Sequence, residues 1–512
     1  MIDKSSDIVL DVTLDSGVHP RSDHVGPKFY LNHSHDAVVV IPGIMGSTLV
    51  DTATNKTRWG LNHLGWYGRA WSTGLSLREL ADLEPGRIKP HGLLRFPAWA
   101  PLGYFEPYDR LVRHIGEMVH PRAVHGFAYD WRLPVLHNAR LLAQAAHEHL
   151  ATWRVDPDHE RLRVLQSDPS PARLVLVAHS MGGLLARALP LVEGTDDEAG
   201  EIPMVTEDIR ATVTLGTPFR GAAKAAGILA TGRGLLPPRR RMIRLARKLP
   251  GIYDLLPSYK CVDEGDHVRL LTAEDVAGFG GDPAEAQRAF DDRTRLDTQS
   301  LIEHRMVIGV EQPTVACLRL GGGTVEGLGH TFRPVSGKDG REGKIVHDQR
   351  GVPAHFPSLG DGTVPVDSAI MRGIPIDPRA QQHGSLANVN EAISSVRFVI
   401  TGEPQGSTLA PRGLVGIDAP DVVSVGAEWP VIVTGVDGPE DATCQLIDAE
   451  TGKHVARPQL EKRDGQWQFT VTVPDKHLYE IVVDGGSGSP LKRMTLATSR
   501  DEPADDNFGD ND

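Results

Sequence analysis

The sequence predicts an α/β fold, a parallel sheet covered on both faces by helices, followed by a separate all-β unit. Three observations carry this. Continuous apolar, β-branched runs at residues 37–41, 174–178, 211–215 and 306–310 read as strands buried on both faces. Helical patterns such as 138–154, rich in Ala, Leu, His and Glu, lie between them, and buried strands alternating with helices imply a parallel sheet. From about residue 416 the pattern changes to short alternating strands: Val431-Ile432-Val433-Thr434, Gln445-Leu446-Ile447, 467–473 and 479–483. Turn signals at Asp437-Gly438-Pro439 and Asp464-Gly465 separate them at the intervals of an Ig-like β-sandwich.

Bulk properties narrow the class. A chain of 512 residues exceeds one ordinary domain. With 40% hydrophobic residues, 24% charged and a mean hydropathy of -0.24, it has the composition of a soluble globular protein. The net charge of -13 argues against nucleic acid as a partner, because such proteins carry a basic field. Cys261, Cys317 and Cys444 are odd in number and scattered, so no disulfide framework is expected. No cysteine pair has metal-ligand spacing and no H-E-x-x-H occurs, so neither metal nor other cofactor is expected. Residues 1–7 lack the basic and apolar regions of a leader, and no stretch of about 18 apolar residues is present. The expectation is a cytoplasmic protein.

The chain divides accordingly. Residues 1–36 read as an irregular polar arm and 37–403 as the catalytic scaffold. A polar insertion at about 220–300, with Pro237-Pro238 and a dense basic segment, interrupts the scaffold. A linker at 402–407 leads to the sandwich, 416–497. The tail, 498–512, holds six carboxylates between Asp501 and Asp512 and should be disordered. Having its own strands after a polar linker, the sandwich should fold alone, and its removal should leave catalysis largely unchanged.

Chemistry concentrates in Val177-Ala178-His179-Ser180-Met181-Gly182-Gly183. A serine on a sharp strand-to-helix turn is pushed out at the carboxyl end of a sheet, and the turn demands small residues two before and two after it. Ala178 stands where the usual pattern has Gly. An apolar strand precedes the motif and a helix-compatible stretch follows, the context of an α/β-hydrolase fold. His179 points away from the serine on such a turn and reads as a packed histidine. An activated serine needs a base and an orienting acid, which in this fold follow in the order acid, then histidine. Asp361, between Gly360 and Gly362, and His383, the last histidine of the scaffold, fill those places. The tetrahedral intermediate needs amide donors. Met181 supplies one, and the loop Pro42-Gly43-Ile44-Met45-Gly46-Ser47 fits the second.

These residues together resemble the lecithin:cholesterol acyltransferase family, which includes lysosomal phospholipase A2. The resemblance rests on Pro42-Gly43-x-x-Gly46-Ser47, Tyr129-Asp130-Trp131-Arg132, Ala178 to Gly183, Gly216-Thr217-Pro218-Phe219-Arg220-Gly221, Tyr253-Asp254-Leu255-Leu256-Pro257 and Gly360 to Pro365, in the family's order. It implies an α/β-hydrolase with cap and lid, an acyl-enzyme on Ser180, and a triad completed by Asp361 and His383. It also implies oxyanion amides from Ile44, with Met45 as the alternative, and Met181. The secreted members carry a leader and a disulfide near the lid. This chain shows neither, which points to an intracellular, bacterial type.

Where the family has its lid, residues 231–260 hold eight basic side chains against the single acid Asp254, a net of +7. On a helix, Met242, Leu245, Ala246 and Leu249 share one face and Arg239, Arg240, Arg241, Arg244 and Arg247 the other. Such a helix suits peripheral contact with an anionic membrane; a solvated lid helix, or one pairing with the acidic tail, is the alternative. The functional expectation is a serine-dependent hydrolase or O-acyltransferase of phospholipid-like esters. A soluble small-ester esterase or thioesterase is one alternative, and a partner-binding protein whose sandwich is the main module, for a partner of unknown identity, is another.

Overall fold

A computed structural model describes residues 34–60, 79–94, 98–100, 103–105, 108–197, 200–231, 239–335, 345–403, 415–449, 451–486 and 488–498. Nearly all of the expected arm, Pro237-Pro238, most of the linker and the acidic tail lie outside the described residues.

Six strands form the central sheet: β1 (Ala37–Ile41), β2 (Val124–Gly126), β3 (Leu174–His179), β4 (Ile209–Leu215), β5 (His304–Gly309) and β6 (Ile376–Arg379), in the order β6-β5-β4-β3-β1-β2. Every pairing is parallel. The four apolar runs are the four inner strands, buried because helices cover both faces. The two edge strands, Val124-His125-Gly126 and Ile376-Asp377-Pro378-Arg379, have no apolar signature. An edge tolerates polar residues and proline, whose missing N–H costs no ladder bond there.

Seven helices matter for the site: α1 (Asp109–Gly116), α2 (Val135–Arg154), α3 (Met181–Val192), α4 (Ala223–Thr231), α5 (Arg239–Ala246), α6 (Pro283–Leu296) and α7 (Asn390–Thr401). Between His383 and α7 the chain makes one short turn. Leu386–Asn388 is a single 3-10 turn, and Val389 at φ -82° and ψ 145° breaks it from α7.

The expected insertion also needs correction. A small sheet pairs Val262–Asp263 with Val268–Arg269 on one side and, in parallel, with Cys317–Gly321 on the other. The segment between β5 and β6 thus supplies half of it, and the cap is built from both flanks of β5 rather than from 220–300 alone. Within 220–300, α6 buries Ala286, Ala289 and Leu296 and packs on α3. It is polar in sequence only because its outer face is.

The C-terminal part is a sandwich of four strands on five, with its own core around Trp429, Val431, Phe469, Tyr479 and Ile481. Alternate burial along Glu428–Thr434 and Gln466–Thr472 matches the alternating sequence pattern. Among the described residues no helix is long and apolar enough to cross a membrane.

Candidate active site

The turn after β3 places Ser180 at the carboxyl end of the sheet, at φ 52° and ψ -125°. Its N–H donates to Leu215 O at 2.9 Å, which ties the turn to β4. His383 Nε2 lies 2.8 Å from Ser180 Oγ, and His383 Nδ1 lies 2.7 Å from Asp361 Oδ2. The other carboxylate oxygen of Asp361 accepts the N–H groups of Thr363 at 2.9 Å and Val364 at 2.6 Å. Asp361 is thus held in place by its own turn. The N–H of His383 donates to Asp361 O at 2.8 Å, so backbone and side chain both register the pair. The three residues are 3%, 1% and 5% exposed, and that dryness strengthens each polar contact. Gly216 stands at φ 60°, and a β-carbon there would meet Asp361 Oδ2 at 3.1 Å and His383 Nδ1 at 3.2 Å. Only glycine suits that place.

His179 does what its position in the turn implied, and more. Its Nε2 lies 3.0 Å from His383 O, an acceptor only, so Nε2 carries the proton. Nδ1 is then the acceptor for Tyr108 O–H at 2.7 Å, and Tyr108 Oη in turn accepts Gly43 N–H at 2.9 Å. A buried relay therefore joins the loop after β1 to the backbone of His383. Burial, then the neighbouring His383 charge, pushes the His179 pKa down to about 3. Sequence reasoning missed Tyr108, whose only signal was an aromatic residue just before a helix.

The loop of Gly43, Ile44 and Met45 lies against the serine. A β-carbon on Gly43 would sit 2.8 Å from Ser180 Cβ. With Gly43 N–H already bonded to Tyr108, the amides of Ile44 and Met45 are the loop's remaining donors beside it. Met45 adopts φ 64°, and its carbonyl accepts Trp59 Nε1–H at 2.8 Å. Met181 opens α3 directly after Ser180.

Each family-like motif braces this arrangement. Tyr129 O–H donates to Pro42 O at 3.0 Å, and Tyr129 N–H to Ser47 Oγ at 3.0 Å. Asp130 and Arg132 form a buried bidentate pair, with Arg132 also donating to Leu80 O. Asp254 accepts Val135 N–H at 2.7 Å at the start of α2. Arg293 donates to the carbonyls of Pro218, Phe219 and Asp254.

The lid residues fare differently. Met242, Leu245, Ala246 and Leu249 are 8%, 5%, 2% and 1% exposed, so the apolar face of α5 is spent on the protein's own core. Arg247 lies beyond α5 rather than on its basic face. Its guanidinium donates to Leu229 O at 2.9 Å and Phe279 O at 2.5 Å, so it is an anchor and not a surface cation. Arg244 is exposed. The side chains of Arg239, Arg240 and Arg241 lie outside the described residues.

The sandwich is not remote from the site, contrary to the expectation of an independent catalytic unit. Gln312, fully buried, donates to Val415 O at 3.1 Å and accepts Ile417 N–H at 3.1 Å and Gln382 Nε2–H at 2.9 Å. Gln382 precedes His383, and Gln312 pairs with Gly360, which precedes Asp361. A cavity of about 260 Å³ lies between α7 and the 488–492 segment. Its lining includes Arg110, Ser385 and Lys492 but none of the triad, so it is distinct from the serine's surroundings.

Comparison with known proteins gives a family match over part of the chain and weak structural likenesses, two of which follow. No curated protein matches the chain. A solved structure titled as the Tle4–Tli4 complex contains a chain with 14% identity and a TM-score of 0.46, covering 72% of this chain and 98% of that one. The complex of Porphyromonas gingivalis RgpB pro- and mature domains matches at 19% identity and a TM-score of 0.14, over 21% of this chain and 25% of that one. Neither likeness bears on function. The model of the lecithin:cholesterol acyltransferase family matches residues 103–269, a span that includes Tyr108, Tyr129 to Arg132, Ser180 and Asp254. Over that segment the chain is similar to the lecithin:cholesterol acyltransferase family.

Proposed function

We propose that the protein is a serine-dependent hydrolase or O-acyltransferase of lipid esters that works through an acyl-enzyme on Ser180. The observation that carries this is the continuous Asp361–His383–Ser180 hydrogen-bond chain at a buried strand end. His383 Nε2 takes the serine proton as Oγ attacks the ester carbonyl carbon. The amides of Met181 and of Ile44 or Met45 stabilise the oxyanion. On collapse the bond to the leaving alcohol breaks, and His383 returns its proton to that oxygen. Water or a second alcohol then attacks the Ser180 ester with the same base, and Ser180 regains its proton. The matched family supports a lipid acyl donor.

Burial of the apolar face of α5 favours a second reading, a soluble-ester esterase or thioesterase, since that face is not offered to a bilayer. A fluorophosphonate probe read by intact mass tests the nucleophile. Next, a panel of phospholipids, short esters and thioesters, with and without alcohol acceptors, separates the readings by products. Equal labelling of wild type and Ser180→Ala would sink the acyl-enzyme; turnover of short esters alone would sink the lipid substrate.

A further inference from the structure

Three side chains from distant segments meet on the cap. Asp263 closes the strand Val262–Asp263 and is 4% exposed. His330 opens the strand His330–Thr331, and His355 immediately precedes its partner strand Phe356–Pro357. His330 Nε2 lies 3.0 Å from Asp263 Oδ2, and His355 Nε2 lies 3.7 Å from the same oxygen. One ligand atom from each residue falls within 4.8 Å of the others.

An ordinary Asp–His hydrogen bond explains His330 but not His355. The second imidazole lies parallel to the first, 3.8 Å between centroids and 8° between planes, and turns its own Nε2 to the same carboxylate oxygen at more than hydrogen-bond distance. Two stacked imidazoles repel if both are protonated. As neutral rings they bring two nitrogen donors and a carboxylate to one small volume, and a shared ion would tilt the half-exposed His355 ring so that its lone pair converges with that of His330. The surroundings hold the three groups together. Phe332 sets its ring edge-on to both imidazoles, at 5.2 Å and 5.3 Å, from within a buried apolar cluster with Val268 and Cys317. Asp263 Oδ1 accepts Gly265 N–H at 2.8 Å, which fixes the carboxylate.

We propose that Asp263, His330 and His355 bind a divalent transition-metal ion of the zinc type. Bonds of about 2.0–2.2 Å in a tetrahedral site put neighbouring ligand atoms about 3.3 Å apart, and the observed 3.0 Å and 3.7 Å straddle that spacing. Two imidazoles and one carboxylate suit zinc, cobalt(II) or nickel(II) rather than calcium or magnesium. The half-exposed side of His355 leaves the fourth position to water. The ligands come from positions 263, 330 and 355, so no short spacing motif announced them. The strand after His355 runs into Asp361: His330 pairs with Pro357, and Ser358 N–H donates to Gly329 O at 3.0 Å. The ion would brace the segment that carries Asp361 without touching Ser180.

The test uses untagged full-length protein stripped with chelator, then titrated with zinc chloride against a chromophoric chelator. Wild type should take up one equivalent at submicromolar affinity, unaffected by excess magnesium. His355→Ala should weaken binding about 100-fold or more, as expected for losing a ligand outright where second-shell loss alone costs 10–100-fold. Zinc should raise the melting temperature of wild type and not of the variant. Cobalt(II) should give a visible absorption band that His355→Ala lacks. Circular dichroism checks that the variant folds, and His355→Gln carries the test if it does not. No stoichiometric zinc uptake by wild type, or unchanged uptake by folded variants, would overturn the site.

Discussion

Ser180 sits in a backbone region that residues with a β-carbon rarely occupy, a local cost of about 1–3 kcal/mol. The turn's bonds to Leu215 and Gly183 hold it there whatever the side chain. Ser180→Ala should therefore fold normally and lose activity by a factor on the order of 10⁶ in kcat. Asp361→Asn should cost about 10⁴ through the wrong tautomer of His383. Retention of even a tenth of wild-type turnover by folded Ser180→Ala would discard the mechanism. Tyr108→Phe removes one hydroxyl and leaves two buried partners, Gly43 N–H and His179 Nδ1, unpaired. It should destabilise the protein by about 1–3 kcal/mol and lower kcat more than it changes KM, because the loop proposed to hold the oxyanion loses its tether. A KM effect alone would argue against that tether. Ser180 and Asp361 were legible because their motifs spell a local backbone shape, and His383 because it follows Asp361 as the last histidine of the scaffold. Tyr108 was not, because a hydrogen-bond relay across 71 positions leaves no local pattern.

At the scale of elements, the apolar strands were legible and the edges of the sheet were not, since burial on two faces writes hydrophobicity into sequence and an edge does not. The sheet also carries a titration. Burial pushes His179 on β3 down to about 3 and both His125 on β2 and His304 on β5 down to about 4, all below the ordinary value of 6.5. The unfolded chain therefore binds more protons than the native one as pH falls below 6.5. Stability should be undiminished above that pH and decline down to about pH 4, by about 1.4 kcal/mol per unit for each of the three histidines. His304→Gln should show a shallower decline, by one such increment, in urea unfolding at pH 7, 6 and 5. An unchanged slope would remove His304 from the account. For the lid, the basic segment was legible as charge, but its apolar face turned out to be core. Arg247→Ala should speed hydrogen exchange across 225–231 and 242–250, because two carbonyls lose their donor; the exposed Lys248→Ala should not. Equal exchange in the two variants would deny Arg247 its anchoring role.

For the whole molecule, both hydrophobic cores could be read from the change in periodicity near 416, whereas their junction could not. Gln312 stands between Glu311 and Pro313 and opens a two-residue strand, and nothing local marks it as the meeting point of two units. Its side chain joins the first sandwich strand to the residue before His383. A chain ending at 403 should therefore lose about 10–100-fold in kcat on a soluble ester, the range seen when catalytic groups shift by about 1 Å. Gln312→Ala in the full chain should show a loss of the same kind. Full activity in the truncated chain would return the sandwich to the status of a separate module.

That junction also bears on time. A chain made from its amino end at about 5–20 residues per second needs roughly 10–40 s to pass from the proposed nucleophile to its proposed base, because 203 positions separate Ser180 from His383. Even then Gln312 lacks its partners until Val415 and Ile417 have emerged and paired. On the proposed mechanism the nucleophile is made early and switched on last, so an unfinished chain still on the ribosome would be an inert one.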